Sequence, residues 1–342
     1  MNNSDINESI SNIFIIGTGQ TLKYVSLITL TLQNAMVGLS MRYSRTRAGD
    51  MFLSSTAVVM AEVVKLFTCL VLVYIEEGSF EKFYKALHMT IMKQPIDTLK
   101  VCVPSLLYII QNNLLYVSAS NLDAATYQVT YQLKILTTAF FAVTILRKSL
   151  RITQWGALIF LVIGVVLVQL AQSVKASLPS GIEQNHWLGF SAALSACVLS
   201  GFAGIYFEKI LKGSDISVWM RNVQLSVLSI PFGLGTCFLQ DSDIIRKQGF
   251  FFGYDLFIFY LVILQAGGGL IVAMVVKYAD NILKGFATSL AIIISCIASI
   301  YLFDFHLSFQ FSLGAFLVIC SIFLYSHQPK TLSDKHTSAE KV

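Results

Sequence analysis

One basic residue in this chain sits where charge is hard to hold. Lys134 ends the run Tyr127-Gln-Val-Thr-Tyr131-Gln-Leu-Lys134, with no acidic residue within a turn or two and apolar sequence beyond it. Tyr127, Tyr131 and Lys134 are spaced i, i+4, i+7, so on a helix two phenols and an ammonium share one face. That set suits an anionic ligand carrying a flat ring. The bland alternative is a lysine neutralised by a distant carboxylate.

A second polar face lies upstream. Tyr108, Gln111 and Asn112 fall within one helical turn, Asn113 follows, and Pro104 can loosen the backbone where that helix starts. Amides in an apolar helix can serve as inter-helix glue worth about 0.6 kcal/mol each, but grouped with a tyrosine they point to a polar cavity. Further on, Ser200-Gly-Phe-Ala-Gly204 is a small-residue run that permits close helix approach, and the pair Arg221-Asn222 follows a short loop. Gly267-Gly-Gly269 falls mid-run, where glycines either pack tightly or let a helix bend. Asp280-Asn-Ile-Leu-Lys284 then opens another apolar helix with Lys284 in its first turn, where the partial positive charge of a helix N-terminus favours phosphate over any cation. Two other basic residues have simpler readings: Lys65 pairs with Glu62 three residues earlier, and Arg221 reaches the interface by snorkelling.

The elements that hold these groups follow from composition. Of 342 residues, 55% are hydrophobic and only 13% charged, and the mean hydropathy is +0.69. A soluble domain would lack the polar surface to cover itself, so this is an all-α integral membrane protein in contact with the lipid bilayer. A spanning helix needs about 20 mostly apolar residues, and ten candidates occur at 23–42, 52–75, 101–120, 122–146, 153–173, 187–208, 218–239, 255–277, 281–303 and 308–327. No cleavable signal peptide is expected ahead of them, and the first helix is expected to be its own insertion signal. Residues 76–100 alternate aromatic and apolar side chains with Lys82, Lys85 and Lys93, as in an amphipathic helix lying on the membrane surface.

At bilayer depth an ionisable group costs at least about 2.5–3.5 kcal/mol, so Lys134 and Lys284 are expected to face a partner or a watery cavity. The net charge of +5, from 24 Lys and Arg against 19 Asp and Glu, reflects loop asymmetry and calls for no nucleic acid. Counted over the loops, fourteen Lys and Arg fall on the side of both termini against six on the other, which puts both termini in the cytosol. Six scattered cysteines behave as small hydrophobes, with no metal spacing. An embedded enzyme would need paired carboxylates, a metal set or an activated nucleophile at depth; Glu62 is the main deep carboxylate, and no enzyme chemistry, metal or cofactor is expected.

Ten helices divide as five plus five, and because five is odd the halves run in opposite directions across the membrane. The expected organisation is a cytosolic segment 1–22, a first five-helix repeat 23–173, a second repeat 187–327 and a cytosolic tail 328–342. In both halves the fourth helix follows an acid-containing turn, at Asp123 and Asp280, and then carries a lysine. Inverted repeats with a site at their midplane interface are a common transporter plan, and the residues alone point to a transporter of an anionic, phosphorylated metabolite.

Residues 23–327 also resemble the Golgi nucleotide-sugar transporters of the drug/metabolite transporter superfamily. The resemblance rests on Met41-RYSR-Thr46, Gln111-Asn-Asn113, Asn121-LDAATYQVTYQLK-Ile135, Ser200-GFAGIYFEKI-Leu211, Trp219-Met-Arg-Asn222 and Lys277-YADNILKGFA-Thr288. The branch carrying UDP-galactose, UDP-N-acetylglucosamine and CMP-sialic acid is the most similar. It implies that a nucleotide sugar enters the Golgi lumen as the nucleoside monophosphate leaves. It also implies that Lys134 and Lys284 meet phosphate, and that Tyr108, Asn112 and Asn222 surround the nucleoside; Gln111, Tyr127, Tyr131 and Ser200 complete the expected site. Ser226 stands where the CMP-sialic acid branch has an aromatic residue, which favours a UDP-sugar exchanged for UMP. Gly249-Phe-Phe-Phe-Gly-Tyr254 leans toward UDP-galactose, while Leu115-Tyr116 and Asn121-Leu-Asp123 leave UDP-N-acetylglucosamine open. Non-transporting scaffold or receptor roles, and association with a second copy, stay open on sequence.

Overall fold

Hydrocarbon offers no partner for a backbone amide, so a chain this apolar must satisfy its N–H and C=O groups within helices or a closed barrel. The computed structural model is all-helical among its described residues, 25, 28–47, 49–173, 184–212, 216–278, 281–303 and 305–326. Side chains are described for the same residues apart from 172–173, 211–212, 272–278, 281–289 and 326. Helix α1 covers 28–46. It is followed by α2 (Ser54–Glu77), α3 (Phe80–Leu87), a π-helical turn (His88–Met92), α4 (Pro95–Lys100) and α5 (Cys102–Asn121). Next come α6 (Ala124–Thr130), a 3₁₀ turn (Tyr131–Leu133), α7 (Lys134–Leu146) and α8 (Ile152–Ser173). The chain continues through α9 (His186–Lys212), α10 (Val218–Gln248), α11 (Leu256–Tyr278), α12 (Asn281–Phe303) and α13 (Phe309–Ser326).

Among the described residues, six segments are long and apolar enough to cross a membrane: Ser54–Glu77, Pro95–Asn121, Ala124–Leu146, Ile152–Ala171, His186–Ile210 and Val218–Gln248. Helices α2 and α10 pack together, as do α5 with α9, α7 with α9, and α8 with α13. The last pair meets by reciprocal contact. A Cβ on Gly164 would lie 2.7 Å from the Gly314 carbonyl oxygen and 2.8 Å from a Val318 methyl; one on Gly314 would lie 2.6 Å from the Gly164 oxygen and 2.8 Å from a Val168 methyl. Only residues without side-chain bulk let two backbones approach this closely.

Three sequence expectations change. The segment read as one helix over 122–146 is broken at 131–133 by the 3₁₀ turn immediately before Lys134. Helix α10 runs to Gln248, well past residue 239, because Asp241 accepts a hydrogen bond from Ser55 on α2 instead of entering a loop. The stretch 76–100 divides into α3, the π turn and α4. Its α3 is amphipathic: Phe83, Ala86 and Leu87 pack on a cluster containing Cys69, Val73, Met220 and Val223, while Phe80 and Tyr84 stay exposed. The triple glycine of α11 does not break the helix, and of the three only Gly268 packs tightly, against the side chain of Gln33 on α1.

Candidate functional site

The 3₁₀ turn is the centre of the site. Asp123 starts α6 by accepting a hydrogen bond from the Thr126 N–H at 2.9 Å, which orients the run so that Tyr127 and Tyr131 stack with ring centroids 6.1 Å apart and 4° between planes. The Lys134 ammonium then sits 4.4 Å from the centroid of the Tyr131 ring, a cation–π contact. The face anticipated from spacing is therefore formed. Its tightening into 3₁₀ geometry has a tertiary cause: the Cys197 thiol on α9 donates to the Tyr131 carbonyl at 3.5 Å, and Thr137 Oγ donates to the Cys197 carbonyl at 2.6 Å. Mid-helix 3₁₀ stretches often mark functional hinges.

Two other helices converge on Tyr131. From α5, Gln111 Nε2 donates to its hydroxyl at 3.0 Å; from α9, the Ser200 side chain comes within polar reach of it. Gln111 is buried, whereas Tyr108, Asn112, Tyr131 and Lys134 are half-buried. Tyr108 and Asn112 are i, i+4 neighbours on one face of α5. Asn113, by contrast, is buried and donates to the Ile109 carbonyl at 3.0 Å, so it serves its own helix. Tyr127 is also buried, against Met41, and acts as a floor under Tyr131.

A second polar group adjoins the first. Lys65 Nζ pairs with Glu62 Oε1 at 2.7 Å, as the i, i+3 spacing anticipates, and Glu62 Oε2 accepts from the Ser226 hydroxyl at 3.2 Å. Tyr108 lies within electrostatic reach of both Glu62 and Tyr131. The pair is therefore more than a local neutralisation: it belongs to the same polar interior. The i, i+3 spacing was legible in sequence; its junction with α5 and α10 was not. Asn222 precedes Ser226 by one turn on α10, is half-buried, and donates from Nδ2 to the Val218 carbonyl at 2.8 Å. Its neighbour Arg221 does not snorkel. It is fully buried and ion-paired to Asp97 of α4 at 2.5 Å, because a partner lies directly over the start of α10. Lys284 falls on the first turn of α12, and its side chain lies outside the described residues.

The described residues thus bring Gln111, Tyr131, Lys134 and Ser200 into one contact set, with Tyr108, Glu62, Lys65 and Ser226 beside it. They hold no cluster of three or more His, Cys, Asp or Glu side chains able to bind a metal. An ammonium over an aromatic ring, phenols, amides and hydroxyls can take an anion and a planar base; they make no nucleophile–base pair.

A family model described as nucleotide-sugar transporter matches residues 18–326. The chain belongs to the nucleotide-sugar transporter family. Similar members include the UDP-galactose translocator of Mus musculus, 54% identical over 89% of this chain and 78% of its own. The UDP-galactose/UDP-N-acetylglucosamine transporter of Caenorhabditis elegans is 56% identical over 90% of this chain and 83% of its own. The UDP-N-acetylglucosamine transporter of Homo sapiens is 50% identical over 90% and 96%. A solved protein crystal structure superposes with a TM-score of 0.54 at 11% identity, over 90% of this chain and 97% of that one, a likeness of fold alone. As a nucleotide-sugar transporter, the chain is not an enzyme.

Proposed function

We propose that this nucleotide-sugar transporter is a Golgi antiporter that carries UDP-galactose, UDP-N-acetylglucosamine or both into the lumen in exchange for UMP. The observation that carries the reading is the Gln111–Tyr131–Lys134–Ser200 set on three helices, one charge over an aromatic ring within reach of two polar faces. Relatives at 50–56% identity carry both sugars in their names. In this reading Lys134 and Lys284 meet the phosphates, and Tyr108, Asn112 and Asn222 meet base and ribose. Substrate and counter-substrate share only the nucleotide. Most affinity must then come from base, ribose and phosphate, with the sugar in a looser space.

We place ten spanning helices in two inverted repeats, α1 to α8 and α9 to α13, with α6 and α7 counted as one span and α3 and α4 lying outside the membrane. The reciprocal Gly164/Val168 and Gly314/Val318 contact supports this, since it is what a two-fold axis between the last helices of each repeat produces. The packing of α5 on α10, matched by that of α2 on α11, supports it too. Both termini are cytosolic in this arrangement, so epitopes at either end stay protease-accessible in sealed, right-side-out Golgi vesicles. A protected C-terminus contradicts it.

Inhibition curves test the recognition. UMP competes well with labelled UDP-galactose, CMP and GMP poorly, and free galactose not at all, because a site rejects strongly only rings that leave its polar groups unpaired. Asn222→Ala narrows the gap between UMP and CMP more than it changes the preference between sugars. Inhibition by free galactose as strong as by UMP contradicts the reading.

A further inference from the structure

The ion pair between the buried Arg221 and the partly exposed Asp97 takes no part in the site, yet it joins the helices that build it. Arg221 Nη1 donates to Asp97 Oδ2 at 2.5 Å and to Gln224 Oε1 at 2.8 Å. Gln224 Nε2 in turn donates to the Thr98 hydroxyl at 3.0 Å, and that hydroxyl donates to the Thr90 carbonyl at 3.3 Å. Asp97, Thr98 and Thr90 all belong to the elbow formed by α3, the π turn and α4. The elbow connects α2, which carries Glu62 and Lys65, to α5, which carries Tyr108, Gln111 and Asn112. Arg221 and Gln224 sit on the first two turns of α10, interleaved with Asn222 and Ser226. Phe83, Leu87 and Ile91 of the elbow pack on the cluster that Met220 and Val223 of the same turns form with Cys69 and Val73 of α2. A guanidinium with no exposed surface is costly to bury, and a hydrophobic pair of equal volume often serves stability as well. What an ion pair with fixed hydrogen-bond geometry adds is register.

We propose that Arg221 and Asp97 are positioning residues for nucleotide recognition. By fixing the start of α10 to the elbow, they set Asn222 and Ser226 against Tyr108 and Glu62 without touching the ligand. The inference rests on the proposed site. Three helices bearing separate parts of one site must hold a common register, and this pair ties all three at one end. Breaking it lets α10 rotate or slide relative to α5, which weakens binding of every ligand that uses the nucleotide contacts.

The test uses full-length protein in UMP-loaded liposomes. Asp97→Asn, Arg221→Lys and the paired replacement Arg221→Met/Asp97→Leu are compared with wild type and Asn222→Ala. The paired variant leaves no charge stranded, so it keeps the experiment informative if the single variants fold poorly. The apparent KM for UDP-galactose is expected to rise at least about fivefold in each variant with the maximal rate within about twofold, the pattern of lost uniform binding. Preference for UMP over CMP should fall in step. Adding Asn222→Ala to Asp97→Asn should cost clearly less than the sum of the two effects, since both act on one contact. Folded variants with wild-type KM and selectivity, or strict additivity with Asn222→Ala, overturn the inference while leaving the transport reading intact. A silent Asn222→Ala overturns the site reading and the inference with it.

Discussion

Helix α9 offers a clean perturbation of the site through a residue that has no side chain. A Cβ built on Gly201 lies 2.6 Å from Thr137 Oγ and 2.8 Å from both the Thr137 carbonyl carbon and the Thr138 nitrogen. Ordinary carbon contacts sit at about 3.5–4.0 Å, so Gly201→Ala requires α9 and α7 to part by about 0.7–1 Å. Thr137 has no room to yield, because its hydroxyl is committed to the Cys197 carbonyl, and backbone atoms cannot rotate away. Overpacking of this kind costs about 1–3 kcal/mol. The displacement also draws Ser200 from Tyr131 and strains the turn that presents Lys134. A misplacement of about 1 Å can lower an enzyme rate roughly a hundredfold. By the same geometric argument, exchange should fall about tenfold or more at matched expression. The control lies one turn on: a Cβ at Gly204 meets nothing within 4 Å, so Gly204→Ala should transport and melt as wild type. UDP-galactose uptake into UMP-loaded liposomes and thermal unfolding in detergent measure both effects. Equal behaviour of the two alanine variants would refute the claim that the α7–α9 approach sets the site.

Lys134→Ala should cut exchange at least about tenfold, as expected for losing a charge-assisted hydrogen bond of roughly 1.5–3 kcal/mol. Lys134→Arg should also be impaired, because a planar guanidinium does not replace a compact ammonium over the Tyr131 ring. Glu62→Gln strands the Lys65 charge in a buried setting and should cost about 3–5 kcal/mol, read as lost folded protein, whereas Glu62→Gln/Lys65→Met should recover yield without recovering transport. At the exposed residue just before α11, the hydrogen bond from Arg47 holds the Asp255 carboxyl below its usual value. A carboxyl depressed by folding contributes stability above its unfolded value of about 3.9 and loses it as pH falls through the lower folded value. The melting difference between wild type and Asp255→Asn should therefore be constant from about pH 5 to 8 and vanish only in stronger acid.

The local parts of this molecule are readable from sequence because they are set by spacing. Tyr127, Tyr131 and Lys134 share a face through helical periodicity, Lys65 finds Glu62 through i, i+3 proximity, and the amphipathic α3 follows from alternating aromatics and lysines. Long-range partners are not readable in this way. The pull of Cys197 on the Tyr131 carbonyl breaks the helix at residues 131–133, and no proline or glycine in Tyr-Gln-Leu announces it. Arg221 reads as a snorkelling residue because its partner, Asp97, lies 124 positions earlier. The polar end of α10, around Gln240-Asp-Ser-Asp243, reads as a loop until Ser55 on α2 gives Asp241 a reason to stay helical.

The most direct test of the account is sidedness of exchange by the purified chain. Liposomes preloaded with UMP, with CMP or with buffer alone are given labelled UDP-galactose or UDP-N-acetylglucosamine outside, with wild type and Lys134→Ala in parallel. The account predicts fast uptake of at least one sugar nucleotide by wild type only with UMP inside, and loss of at least about tenfold in Lys134→Ala. Uptake that is indifferent to the internal nucleotide, or unchanged when Lys134 is removed, would contradict it.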